Sequence, residues 1–119
     1  MPRVFATGTI TAGQSLSSPI DCRSGAPLLL FMPPQWTPAR MSYQLSSDNV
    51  NFYDLYDRNA REIAVNVRAG TVVRLNPEWT ESALGCWLKI RSGSSDMATI
   101  QAANRSFTML IDTGVGLAT

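Results

Sequence analysis

The chain has 119 residues, 45% of them hydrophobic, which suffices for one packed core without metals or a dense disulfide framework and is too little for a two-domain enzyme. Ten basic side chains stand against nine acidic ones, so the near-neutral field gives no reason to expect nucleic acid or an anionic membrane as partner. Histidine is absent, which removes the commonest general base, the usual activator of Ser and Cys nucleophiles, and the commonest nitrogen ligand for metals.

Met1-Pro2-Arg3 leads straight into strand-like residues, with no apolar segment of signal-peptide length and no run near the roughly 18 apolar residues of a membrane span. Synthesis in the cytosol without classical secretion is therefore expected. Val4 to Ile10 is rich in β-branched residues and closes at Thr11-Ala12-Gly13-Gln14. Ser15 to Ile20 is a weaker, Ser-rich segment closed by Asp21-Cys22-Arg23-Ser24-Gly25, and the two together predict the opening of a β-meander. Pro27 to Met32 is a continuous apolar run stopped by Pro33-Pro34, the pattern of a central strand covered on both faces.

From Met41 to Ser46 apolar and polar side chains alternate, placing Met41, Tyr43 and Leu45 on one face and Ser42, Gln44 and Ser46 on the other. Ser47-Asp48-Asn49 supplies turn chemistry and Phe52 to Tyr56 resumes the extended pattern, so a hairpin is predicted. After the polar turn Arg58-Asn59-Ala60-Arg61, Ile63, Val65 and Val67 alternate; Arg68-Ala69-Gly70 turns the chain and Thr71 to Leu75 returns it as a second hairpin. Asn76 can cap a helix, Pro77 suits its first position and Glu78 its first turn, which predicts one or two helical turns over Pro77 to Ala83 before Gly85. Cys86 to Arg91 reads as a strand with Cys86, Leu88 and Ile90 toward the core and Trp87, Lys89 and Arg91 opposite. A polar loop, Ser92 to Asp96, precedes a last strand from Arg105 to Ile111.

About eight short strands at roughly ten-residue spacing predict an all-β fold, an antiparallel β-sandwich of jelly-roll-like type with at most one short helix. Residues 1–112 form the single domain, and 113–119, small and Gly-rich, a flexible tail.

Signals for chemistry are weak, and no catalytic, cofactor or metal residues are assigned. Cys22 and Cys86 lack a CxxC partner, so zinc is unsupported; buried thiols and a disulfide both remain open. Asp48, Asn49, Asn51, Asp54, Asp57 and Asn59 offer oxygen atoms for calcium, but their spacing lacks the glycine and terminal glutamate of an EF-hand and suits turn chemistry. Ser15, Ser17 and Ser18 have nothing to activate them, and no Gly-rich phosphate loop is present. Trp36, Phe52, Tyr53 and Tyr56 suit either a sugar-binding face or hairpin and core packing. Trp87 shares a face with Lys89 and Arg91, so it is either covered by the segment around Trp79 or exposed at a protein interface. Val4 and Phe5, in an apolar terminus, join Trp87, Lys89 and Arg91 as candidate interface residues.

Four stretches, ATGTITAGQSLSSPIDC from Ala6, MPPQWTPARMSYQLSSDNVNFYDLYD from Met32, WLKIRSG from Trp87 and QAANRSFTMLI from Gln101, resemble a family of small β-sandwich proteins encoded among the virion structural genes of tailed bacteriophages. Family members often carry Asp-Gly where this chain has Asp48-Asn49, which bears on the turn type alone. The resemblance implies a non-enzymatic virion protein assembled in the host cytoplasm. A capsid decoration, or cement, protein that binds the major capsid protein or other virion proteins as a homo-oligomer is the first expectation. A head-tail connector component and a tail-fibre or receptor-binding module are the alternatives. The stretch from Pro33 to Asp57 also resembles discoidin-like sandwiches, which keeps a carbohydrate-binding role open.

Overall fold

A computed structural model describes residues 2–114. The elements are β1 (Arg3–Ile10), β2 (Ile20–Cys22), β3 (Ala26–Phe31), β4 (Met41–Ser46), β5 (Tyr53–Asp54), β6 (Ala64–Val65), β7 (Val72–Arg74), α1 (Pro77–Ala83), β8 (Cys86–Ser92) and β9 (Arg105–Asp112). They form two antiparallel sheets packed as an all-β sandwich. One runs β1-β9-β3-β7; the other runs β2-β8-β4-β5, with β6 also paired to β4.

Alternation within strands makes the core. On β9, Phe107, Met109 and Ile111 point inward, and they meet Ile10, Leu30, Tyr43, Leu88 and Ile90, all of them buried. Trp36 closes one part of this core by setting its ring edge-on to Phe107, centroids 5.6 Å apart, while its Nε1 donates to the Ala39 carbonyl at 3.2 Å. Tyr43 and Trp79 stack at 4.5 Å in another part, which brings α1 into the core. The helix begins as its sequence dictates. Asn76 Oδ1 accepts from the Glu78 N–H at 2.9 Å, Pro77 fills the first position, and Gly85 follows with φ of 95°.

The predicted hairpin is present, with Gln44 opposite Asp54 and Leu45 opposite Tyr53. Two other pairings differ from expectation. The opening is not a meander: β1 pairs along its whole length with β9, from Arg3 opposite Asp112 to Ile10 opposite Arg105, whereas β2 joins β8 in the other sheet. The Ser-rich segment between them carries too little apolar surface to hold a strand at the sheet face. Its backbone instead ties the two sheets at one end, Ser17 N–H donating to Ile90 and Ser18 N–H to Thr9. Likewise β6 and β7 do not pair with each other. Val65 lies opposite Met41 and Val73 opposite Leu30, so the turn at Gly70 carries the chain from one sheet to the other. Both valines reach the interior, and they do so from opposite sides.

β3 is central, between β9 and β7, but Leu29 and Phe31 on its outer side are only half-buried. The expectation that it is covered on both faces is therefore corrected, and its register slips between Pro27 and Leu29, where proline brings no N–H to the ladder. Of the expected tail, Thr113 is tied by its N–H to the Pro2 carbonyl at 3.0 Å, and 115–119 lie outside the described residues.

Gly93 ends β8 with φ of 93°, and a Cβ there would collide with the carbonyl oxygen of Met97. Its own N–H and C=O are engaged by the Arg40 carbonyl and the Ser42 hydroxyl. Gly93→Ala is expected to lower stability by about 2 kcal/mol or more, since the left-handed conformation alone costs a side-chain-bearing residue roughly 1–2 kcal/mol. Urea denaturation checks this, and a loss below about 0.5 kcal/mol would contradict it.

Candidate functional site

Trp87, Lys89 and Arg91 do share the outer face of β8, opposite Ser46, Gln44 and Ser42 of β4. Each, however, is met by its own chain. The Arg23 guanidinium lies 4.5 Å from the Trp87 ring centroid, and Asp21 fixes it there through contacts of 3.0 and 2.8 Å. Those hydrogen bonds, from the Arg23 side chain and then its backbone, hold the Asp21 carboxyl down at about 2. Lys89 Nζ sits 4.4 Å from the Phe52 ring centroid. Trp79 does not cover Trp87, because it faces the interior against Tyr43.

Arg91 is the clearest correction: expected at an interface, it is 5% exposed. Its Nη1 donates to Asp54 and its Nη2 to Glu62, both at 2.6 Å, and its Nε donates to the Ser42 hydroxyl at 3.0 Å. The two carboxylates reach it from β5 and from the residues before β6, on the far side of β4, across the small Ser42 side chain. Ser95 N–H donates to the same Glu62 carboxylate, which draws the loop after β8 onto the pair. Burial pushes the Asp54 carboxyl up, but the hydrogen bonds from Arg91 and Gln44 and the Arg91 charge outweigh it and leave it below its ordinary value.

The remaining candidates resolve into local structure. Asp48 accepts from the N–H groups of Val50 and Asn51, both at 2.9 Å, and so builds the turn in which Asn49 takes φ of 61°. Asp57 likewise accepts from Asn59 and Arg61 N–H, and Asp54 serves Arg91, so the oxygen-bearing residues weighed for calcium are divided among separate tasks. Cys22 and Cys86 lie opposite each other on β2 and β8 as free thiols, and burial, then the neighbouring Asp21 charge, pushes Cys22 up to about 12. Trp36 is core, Phe52 lies against Lys89, and Tyr53 and Tyr56 are 70% and 47% exposed, so these aromatics do not assemble into one sugar-stacking face.

The open surface is on the other sheet. Phe5 of β1 lies opposite Leu110 of β9, which lies opposite Leu29 of β3; Phe31 of β3 lies opposite Val72 of β7. All five are on the outer side, with Phe5 67% and Val72 53% exposed and the Phe5 and Phe31 rings edge-on at 6.3 Å. An antiparallel sheet with one solvated face carries polar residues there; this one has Thr7, Ser106, Thr108 and Arg74, and beside them an apolar strip that runs from Phe5 through Leu110 to Leu29 and on to Phe31 and Val72. Val4 and Phe5 among the expected interface residues are thus exposed, Val4 at 48% on the inner side at the sheet edge. Leu29, Phe31, Val72 and Leu110 were missed. Their signal is the unbroken apolar run of β3 and the adjacent Met109-Leu110-Ile111, where both strand faces are apolar.

A cleft of about 550 Å³ opens between β7–α1 and the chain from the segment after β5 into β6. Tyr43, Leu55, Val65, Val73 and Trp79 line it, with Arg58, Arg74 and Glu78 among its polar lining. Comparison of the chain with protein-family models, with curated proteins and with solved structures finds no match in any of the three.

Arg91→Ala strands Glu62 and Asp54 without their cation, and a loss of about 3–5 kcal/mol is expected by chemical denaturation. A loss under about 1 kcal/mol would show that the pair contributes little. Because the folded Asp54 value lies below its unfolded one of about 3.9, its contribution is complete above that value and fades as pH falls through the lower one. The variant should therefore show a shallower acid dependence of stability in that window.

Proposed function

We propose that the chain is a non-enzymatic virion structural protein, most concretely a capsid decoration protein that docks on the assembled head. The observation that carries this reading is the apolar outer face of the β1-β9-β3-β7 sheet, where Phe5, Leu29, Phe31, Val72 and Leu110 form one strip. A strip of that kind costs solubility unless a protein partner covers it. A decoration protein binds a repetitive surface in many copies, so a small apolar patch with modest affinity suffices and no strong charge is needed. The near-neutral balance of ten basic and nine acidic residues fits that requirement, and so does the sequence resemblance to virion proteins. The major capsid protein is the partner under this reading. The connector and fibre roles differ from it in copy number.

Thr108 sits exposed on the outer side of β9 in the middle of the strip, and Val72 lies at its margin. Thr108→Lys and Val72→Lys put a charge there without removing a core contact, so stability should stay within about 0.5 kcal/mol of wild type. Binding of the full chain to heads assembled without it should fall at least about tenfold, the loss expected when a charge is desolvated unpaired. Wild-type binding by both variants would refute the docking face. Quantitative mass spectrometry of purified virions tests the station. On the order of hundreds of copies supports decoration, about a dozen a connector, and a few to tens a fibre, while absence from the particle rejects a virion role.

A further inference from the structure

The edge of β1 is open, and the direction of its backbone groups can be derived. Thr9 N–H donates to Ser18 Oγ at 3.1 Å and the Thr9 carbonyl accepts from Ser18 N–H at 2.9 Å, so Thr9 points its backbone away from β9. At the other end the Pro2 carbonyl accepts from Thr113 N–H at 3.0 Å, so Pro2 points toward β9. Backbone groups alternate in direction along a strand. Even-numbered residues of β1 therefore bond to β9, and odd-numbered ones face outward. Thr9 is used by Ser18; Arg3, Phe5 and Thr7 have no outward partner among the described residues.

We infer that this edge pairs with the same edge of a second copy, antiparallel about a two-fold axis at Phe5. In that register Phe5 faces the second copy's Phe5 and Arg3 faces the second copy's Thr7, with two hydrogen bonds at each of these pairs and at its symmetry mate. It is the one register that uses all three free odd-numbered residues and leaves Thr9 with Ser18. Val4 then lies opposite the second copy's Ala6 on the inner side, which covers a side chain left 48% exposed in the single chain. The two Phe5 rings, each 67% exposed, meet on the outer side and fuse the two apolar strips into one. Nothing along the edge opposes the pairing. Residues 3–8 contain no proline, no bulge and one charge, Arg3, which meets a threonine and not another cation.

The pairing stands on the free edge and does not depend on what docks on the face, so its test reads oligomeric state in the absence of any particle. Sedimentation equilibrium of the full chain should give a concentration-dependent mass rising to twice 13.0 kDa. A mass that stays monomeric up to about millimolar concentration overturns the proposal, and so does a foreign strand captured by a chain that never dimerises. Phe5→Pro removes an outward N–H that no described residue engages, together with the ring contact to Phe31, so it should fold with the urea midpoint of Phe5→Ala and remain monomeric. Ala6→Pro removes an inward N–H bonded to β9 and should be destabilised instead. Hydrogen exchange on the wild-type chain decides independently of any variant. Raising the concentration should slow the Arg3, Phe5 and Thr7 amides at least about tenfold while leaving Val4 and Ala6 as they are, and equal behaviour of odd and even amides overturns the register.

Discussion

A buried guanidinium governs which side of this sandwich meets the outside. Arg91 lies on what would be the solvent face of β8, and once it is 5% exposed it must be neutralised where it sits. Asp54 and Glu62 do this from the far side of β4, and both contacts are 2.6 Å. To deliver them, the chain between β4 and β7 has to run along the β4 edge twice, as β5 and then β6, which is how the second sheet acquires its fifth strand. Ser42 is small enough to let the carboxylates pass, and its hydroxyl bridges Arg91 Nε and the Gly93 carbonyl. A larger residue at position 42 would block the ion pair and the loop closure together.

The consequence is an asymmetry between the two outer faces. On the outer face of β8 each large side chain finds a partner in its own chain: Trp87 with Arg23, Lys89 with Phe52, Arg91 with its carboxylates. On the β1-β9-β3-β7 side no segment among the described residues folds back, and apolar side chains stay at the surface. A face already satisfied gains little from association, because its groups would exchange one set of partners for another. The unsatisfied face gains the full removal of apolar area from water.

Local chemistry was legible in the sequence and long-range pairing was not. The period-two pattern from Met41 to Ser46, the Asn76-Pro77 helix start and the alternation of Cys86 to Arg91 each depend on neighbours within a few residues, and each gives the strand, helix or face that its pattern dictates. Arg91 was misplaced because its partners Asp54 and Glu62 stand 37 and 29 residues away, and no period along β8 reports them. The meander and the second hairpin failed for a related reason. Proximity in sequence favours pairing of consecutive strands, but Val65 and Val73 reach the interior from opposite sheets, and β1 pairs over all of its length with β9 at the other end of the chain. The open apolar strip was hidden by a similar ambiguity, since a run such as Pro27 to Met32 reads the same whether its second face meets a neighbouring layer or a different molecule.

The location of β1 couples the two surfaces that remain unsatisfied. It is an edge strand whose Arg3, Phe5 and Thr7 aim outward backbone groups that no described residue engages, and it also carries Phe5, 67% exposed beside the half-buried ring of Phe31. Edge pairing and face docking use perpendicular directions, backbone groups in the plane of the sheet and side chains normal to it, so one does not consume the other. Two copies joined at β1 would present a doubled apolar face of fixed geometry, and a repetitive surface meeting both halves at once turns the second contact into an intramolecular one. Affinity under the proposed docking would come from rigid duplication of a small patch and not from charge, which is the regime open to a chain with ten basic and nine acidic residues.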